Sequence, residues 1–268
     1  MTISIGEMGF FKLPFTPEVE ISDLFNLPMF DETLAGMREC IEDRLCTALA
    51  APAGTGKTVL MRRLQAALPE ARYRVRYVKM AGLSKRDFCR EICMAVGVPP
   101  RGSFPGLMRT LDEHFESVSN DHAMRPVLVI DEAHEMKLDV LAMLRILTNF
   151  HLDSRLVLSL VLAGQPPLRE MLRREDQVAI LHRLSHVDTL RLLSRDELAL
   201  YIRHRCSIAG AAKEPFDADA IALIFELSRG NMRATDRIAR KAVRTACAAG
   251  STVITTGHIT EARKYLWT

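Results

Sequence analysis

Apolar positions follow two rhythms along the chain. Between residues 45 and 190, short continuous apolar runs alternate with stretches in which apolar residues recur every three or four positions. Leu45–Ala51, Arg125–Asp131 and Leu156–Gly164 are runs of the first kind and read as strands buried in a parallel sheet. Arg72–Met80 alternates apolar and basic residues, the period of a strand. The intervening stretches have helical spacing: Leu60, Leu64 and Leu68 before Pro69; a helix opened by Ser84, with Asp87 three residues on, and closed by Gly97; Leu107, Leu111 and Phe115 after a loop over 99–106; Leu141, Leu144 and Leu147 within a helix over 137–147; and a short helix over 168–174 before the run Ile180–Leu184. Alternating strand and helix predicts a parallel sheet with helices on both faces.

From about residue 194 the pattern is helical only. Ser194 caps a helix that ends at Gly210, Asp217 caps a second that ends near Gly230, Asn231–Ala249 is a third, and Thr252–Thr255 links it to a last one. At the other end, Phe10–Pro17 and Leu24–Phe30 interleave aromatic residues and prolines without a period, which reads as an extended segment packed across a domain. Such a segment either walls the base pocket of a nucleotide site or anchors an N-terminal arm, and the residues do not choose between these. Asp31 is placed to cap a helix to about Asp43, with Leu34 and Met37 on one face. The expected divisions are an extended arm over 1–30, an α/β domain over 31–190 and a small all-helical domain over 191–268.

Composition narrows this little. With 268 residues the chain is long enough for one large or two modest domains, and 48% hydrophobic and 26% charged residues suit a soluble globular protein. A formal net charge of +3 is compatible with a nucleic-acid partner without arguing for one. The six cysteines are scattered, with no paired C-x-x-C, and are expected to be reduced packing thiols. There is no basic region leading into an apolar run at the N-terminus and no apolar stretch of membrane-spanning length, so a cytoplasmic protein is expected.

The chemistry lies at the strand ends. Ala51-Pro-Ala-Gly-Thr-Gly-Lys-Thr58 follows a buried strand and opens a helix, the context that makes a G-K-T turn a phosphate-binding loop. Pro52, Ala53, Gly54, Thr55, Gly56, Lys57, Thr58 and Val59 are the predicted nucleotide-binding residues. Backbone N–H groups and the helix dipole favour phosphate there, Lys57 reaches the β- and γ-phosphates, and the Thr58 hydroxyl binds Mg²⁺. Ala51 stands where the usual pattern has its first glycine, which is acceptable while φ stays negative.

The strand Val127–Ile130 ends in Asp131-Glu132, two carboxylates at the end of a sheet where α/β proteins bind ligands. Asp131 is predicted to hold Mg²⁺ through water, and Glu132 to polarise the attacking water, so ATP hydrolysis is the expected reaction. Asp-Glu-Ala-His is also a helicase signature. A helicase needs a second nucleotide-binding-fold domain and a downstream arginine-rich motif; neither is legible after His134, which is expected to make a local polar contact. Gln165, ending the next strand, is placed to sense a γ-phosphate. Arg233, opening a helix after Gly230-Asn-Met, is placed to swing onto it. Lys79, Lys85 and Arg86 cluster at one strand–helix junction and read either as contacts to DNA phosphates or as a solvated loop.

The order of these parts resembles a known family. A Phe-x-x-x-Pro-Phe arm, the phosphate loop, Val-Ile-Asp-Glu-Ala-His, Ala-Gly-Gln-Pro, an arginine and a helical lid opening Gly-x-x-Arg look like an AAA+ ATPase of the ExeA-like group, which includes the transposition ATPases TnsC, TniB, IstB and MuB. Leu147–Ser154 and Leu162–Pro166 look most like the transposon-encoded members. The resemblance implies a P-loop AAA+ α/β core followed by a helical lid, with Gln165 as sensor 1, Arg183 as an arginine finger lent to a neighbouring subunit (Arg173 and Arg174 being rivals) and Arg233 as sensor 2. It implies that ATP and Mg²⁺ are the cofactors and that the protein assembles with itself as a ring or filament on double-stranded DNA. Lys79, Lys85, Arg86 and Lys137 would face the DNA, and a transposase, with or without a target-selector protein, would be the partner. The alternative is a secretion or envelope ATPase like ExeA acting on a protein partner. That kind of protein carries a membrane span and a wall-binding domain, and neither is legible here.

Overall fold

A computed structural model describes residues 3–121, 124–150, 155–174 and 182–264. The chain forms two compact units. One comprises Pro28–Pro52 and Lys57–Leu190; the other comprises Met1–Leu27, Ala53–Gly56 and Arg191–Thr268.

The first unit is built on five parallel strands, β1 (Cys46–Ala50), β2 (Tyr73–Lys79), β3 (Arg125–Asp131), β4 (Ser159–Gly164) and β5 (Leu184–Thr189), in the order β2-β3-β4-β1-β5. The three predicted apolar runs occupy the centre: every residue of β1 and β4, and all but the first of β3, is buried. The alternating Arg72–Met80 stretch supplies an edge, β2, where only Tyr73 and Val78 are buried and the basic residues can face water. The other edge, β5, lies beyond the Ile180–Leu184 run, of which residues 180 and 181 fall outside the described part.

Helices α1 (Pro28–Glu42), α2 (Lys57–Ala67), α3 (Lys85–Val96), α4 (Phe104–Asp121), α5 (Leu138–Leu147) and α6 (Pro167–Leu172) cover both faces of this sheet. Leu128 and Ile130 of β3 join Leu160 and Leu162 of β4 in one core with Phe88, Ile92, Leu111, Leu141 and Leu144. Alternation then turns Val127, Val129 and Asp131 to the opposite face. Two helices start earlier than their sequence suggests. α1 begins at Pro28, not at an Asp31 cap, because a proline needs no hydrogen-bonded N–H in the first turn; Asp31 sits inside that turn. α4 likewise takes in Phe104–Gly106 from the expected loop, with Pro105 tolerated in its first turn. Ser84 caps α3 as predicted, its hydroxyl accepting from the Asp87 N–H.

The second unit is helical: α7 (Arg195–Ser207), α8 (Ala218–Ser228), α9 (Met232–Ala249) and α10 (Thr256–Lys264). Ser194, Asp217 and Asn231 each cap their helix through a side-chain oxygen, and Ser194 and Glu197 form a reciprocal capping box. Each such cap stabilises its helix by about 1 kcal/mol. The N-terminal segment packs here. Phe15 lies edge-on to Phe216 at 5.8 Å. The buried Arg205 donates to the Thr16 carbonyl at 2.5 Å and to Asp236 at 3.4 Å. All six cysteines are unpaired and buried, and no helix among the described residues is long and apolar enough to cross a membrane.

One carboxyl in the α/β unit is poorly accommodated. Asp112 of α4 has a buried Oδ1 without a hydrogen-bond partner among the described residues, and burial, reinforced by Glu116 and Glu113, pushes its pKa up to about 6. A raised carboxyl favours the folded state while protonated; that contribution is complete below the ordinary carboxylate value and is lost as pH rises through about 6. Asp112→Asn, which mimics the protonated form, should therefore raise the melting temperature by about 2 °C at pH 7.5 and leave it unchanged near pH 3.5. Thermal melts across this pH range check it.

Candidate active site

In the α/β unit the chemistry gathers at the carboxyl edge of the sheet. β4 separates the strand that leads into the G-K-T turn from the strand that carries the carboxylates. Ala51 donates its N–H to the Gly164 carbonyl at 2.9 Å. Lys57 opens α2, and its ammonium lies 2.7 Å from Asp131 Oδ1 and 3.2 Å from Glu132 Oε1. Its side chain is only 11% exposed, so the two carboxylates and the lysine compensate one another out of bulk water. Sequence reading predicts each of these three residues, and the structure brings them together.

Two features hold the carboxylates apart in role. Asp131 ends β3, with Oδ1 accepting the Glu132 N–H at 2.8 Å and Oδ2 accepting the Tyr77 hydroxyl at 2.6 Å. Burial raises its pKa, but the bonds from Lys57, Tyr77 and the Glu132 N–H outweigh burial and hold the carboxyl below its ordinary value. Asp131 is thus kept ionised. Glu132 takes a left-handed backbone (φ 53°, ψ 34°), a conformation that costs a non-glycine residue about 1 kcal/mol or more. The chain turns out of the sheet there and presents the Glu132 carboxylate to Lys57.

His134 makes the local polar contact expected of it. Its Nδ1 accepts the Gln165 N–H at 3.3 Å and lies 3.5 Å from Glu132 Oε2. Gln165, leaving β4, is therefore tied by its backbone to the segment that carries Glu132. Arg183 precedes β5 and donates to the Thr148 carbonyl at 3.1 Å. Arg173 caps the end of α6, Arg174 follows it, and both are exposed. Residues 151–154 of the Leu147–Ser154 stretch lie outside the described part.

The basic candidates share the β2–β3 end of the same edge. Lys79 ends β2, in register with Asp131. Lys85 and Arg86 open α3; Lys85 lies 3.5 Å from Asp139 of α5, and Arg86 donates to the Gly102 carbonyl at 3.2 Å. Lys137 is the N-cap of α5 and is exposed.

In the helical unit Arg233 sits in the first turn of α9, is exposed, and its backbone N–H points at the Gly54 carbonyl at 3.4 Å. Residues Ala53–Gly56 of the G-K-T turn belong to this unit, with Gly54 and Gly56 at φ 81° and 95°. Thr55 is buried and Thr58 is exposed.

Sequence reading misses Tyr77 as a site residue. It lies on an exposed edge strand and is a conventional strand former. Only the parallel register, Tyr77 opposite Val129 and Lys79 opposite Asp131, puts its hydroxyl on the carboxylate.

Residues 39–172 match the AAA domain family, half of the chain. The chain belongs to that family and is an ATPase. It is 30% identical over 259 residues to the general secretion pathway protein A of Aeromonas hydrophila; the match takes in 94% of this chain and 46% of that protein, so the chain spans less than half the length of this relative. Among solved structures, Cdc6p of Pyrobaculum aerophilum superposes with a TM-score of 0.74 at 19% identity, over 98% of this chain and 72% of the other. The ORC1 protein of Aeropyrum pernix, solved in complex with DNA, gives a TM-score of 0.68 at 18% identity, over 93% and 68%. The two structural matches establish a shared fold: the parallel five-stranded P-loop sheet with a helical region after it.

Removing the Tyr77 hydroxyl removes a donor to the ionised form of Asp131, so the Asp131 pKa rises. Tyr77→Phe should move the acid limb of the ATPase pH profile to higher pH and leave the alkaline limb in place. A pH–rate profile at saturating ATP checks it.

Proposed function

We propose that the chain is an ATP-controlled switch that assembles on double-stranded DNA without sequence preference and regulates transposition, with hydrolysis driving disassembly. The observation that carries the ATP half of this reading is the Lys57–Asp131–Glu132 cluster, at 2.7 and 3.2 Å. A cationic side chain already stands on two carboxylates at the site where phosphate and metal would meet them. In this reading residues 52–59 cradle the phosphates, and Lys57 leaves the carboxylates for the β- and γ-phosphates.

Mg²⁺ fits the donors present. The Thr58 hydroxyl and the ionised Asp131 are hard oxygen ligands, and an ion that binds few protein groups beside nucleotide phosphates needs no more. When bound, the ion would neutralise phosphate charge. Glu132, freed from Lys57, accepts a proton from the attacking water. Gln165 reports the γ-phosphate to the His134 segment through its backbone contact. Arg233 is the sensor-2 arginine of this reading. Arg183, with Arg173 and Arg174 as rivals, completes the site of a neighbouring subunit, so hydrolysis depends on assembly. In this reading the chain divides into an arm over 1–30, a core over 31–190 and a helical lid over 191–268.

The DNA half rests on the resemblance of the ordered motifs to those of transposition ATPases and on Lys79, Lys85, Arg86 and Lys137 lying at one end of the sheet edge. A transposase would be the partner that reads the assembly. A second reading has its own support. The identity to general secretion pathway protein A runs along 94% of this chain, which favours a protein partner in secretion or envelope assembly.

Binding to random-sequence duplex DNA with ATP, with ADP and without nucleotide, at two salt concentrations, separates them. Cooperative, ATP-dependent binding is expected, weakening with log salt at a slope of about −0.9 for each phosphate contacted. Glu132→Gln should cut hydrolysis about a hundredfold or more and hold the ATP-bound assembly on DNA. Absence of DNA binding in every condition returns the four basic residues to a solvated face and favours the protein-partner reading.

A further inference from the structure

Asn231 does more than cap α9. Its Oδ1 accepts the Ala234 N–H at 3.0 Å, the expected cap, while its Nδ2 donates to the Ala53 carbonyl at 2.7 Å. The next carbonyl is taken by the helix itself: the N–H groups of Met232 and Arg233, two of the donors that every helix start leaves over, point at the Gly54 oxygen at 3.0 and 3.4 Å. Two consecutive carbonyls of the G-K-T turn are thus held by one helix start. All of these residues belong to the helical unit.

A trans peptide is planar, and its C=O and N–H point in opposite directions. Holding the Ala53 carbonyl toward α9 therefore aims the Gly54 N–H away from it, and holding the Gly54 carbonyl aims the Thr55 N–H away as well. These are amides of the loop that is to cradle phosphate. The fit is tight. A Cβ on Gly54 would lie 2.3 Å from Asn231 Oδ1 and 2.8 Å from its Nδ2, and Gly54 also has φ 81°. Gly54 thus has two independent reasons to be glycine, and one of them is the Asn231 side chain. Gly230, at φ 79°, is packed on the backbone of Leu193 and fixes where the cap begins.

We infer that Asn231 is a positioning residue for nucleotide binding, orienting the Ala53–Gly54 and Gly54–Thr55 peptides so that their N–H groups face the phosphates. This rests on the reading of residues 52–59 as the phosphate-binding loop. The helix cap and the loop contact can be separated, because Ser and Asp cap a helix about as well as Asn and neither supplies an amide donor for the Ala53 carbonyl.

The test measures ADP and ATP affinity by calorimetry, melting temperature and steady-state ATPase kinetics for the full chain and for Asn231→Ser, Asn231→Asp and Lys57→Ala. Asn231→Ser should keep the parent's melting temperature and weaken ADP about three- to tenfold, the size of one net hydrogen bond. Its KM for ATP should rise more than its kcat falls. Asn231→Asp should weaken ADP further still, since a carboxylate would face a carbonyl oxygen, although it is an equally good cap; a purely structural cap predicts no difference between Asp and Asn. ADP affinity of Asn231→Ser and Asn231→Asp within twofold of the parent, with binding lost in Lys57→Ala, overturns the role of Asn231 alone. Undiminished binding in Lys57→Ala overturns the phosphate-loop reading, and the role of Asn231 with it.

Discussion

Two acidic side chains at the end of one buried strand must be compensated, and in this protein the compensation comes from Lys57. Asp131 is buried and Glu132 is 28% exposed, and the lysine that answers both opens a helix from a different part of the chain. Deleting one member of such a group leaves the others charged and poorly solvated, at a cost of roughly 3–5 kcal/mol. The cluster therefore ties β3 to α2 electrostatically while the sheet ties them by packing. On the proposed reading, phosphate would draw Lys57 away from the carboxylates and a metal would take its place there.

The same edge of the sheet concentrates the unusual backbone of this unit. Glu132 adopts a left-handed conformation and its N–H folds back onto Asp131. The chain then enters a short turn that brings His134 under the Gln165 amide. Each of these would be a small liability elsewhere. Here they convert the end of a strand into a set of side chains aimed at one point, with Asp131 ionised by its neighbours and Glu132 left with an oxygen for other use. In the helical unit, backbone constraint takes a different form. The left-handed glycines Gly54 and Gly230 allow a loop and a helix start to approach closely enough for carbonyl–amide bonds.

Family membership and function separate in this chain. The AAA domain match places the chain in an ATPase family, and Cdc6p and ORC1 share its fold. These matches leave open what the energy is used on, because the same core serves partners of different kinds. Lys79, Arg86 and Lys137 are exposed, so no packing requirement selects them.

Much of this protein is legible in the sequence for a simple reason: its signals are local. The three buried strands are continuous apolar runs, the helices are marked by Ser84, Ser194, Asp217 and Asn231 at their starts, and the G-K-T turn and Asp131-Glu132 are contiguous residues whose chemistry depends on little else. Where the sequence misleads, a local rule competes with another. Pro28 can begin a helix as well as Asp31 can cap one, and Phe104–Gly106 reads as a loop until α4 has a core to pack against. What only the tertiary structure decides is long-range. Tyr77 meets Asp131 because β2 and β3 pair in one register, and a slip of one residue would send the hydroxyl to the other face. Lys57 meets Asp131 and Glu132 across 74 and 75 residues of chain, and Asn231 meets Ala53 across 178. Composition and periodicity determine which segments are strands, helices and turns; which of their polar ends face one another follows from strand order and register, which no single stretch of sequence contains.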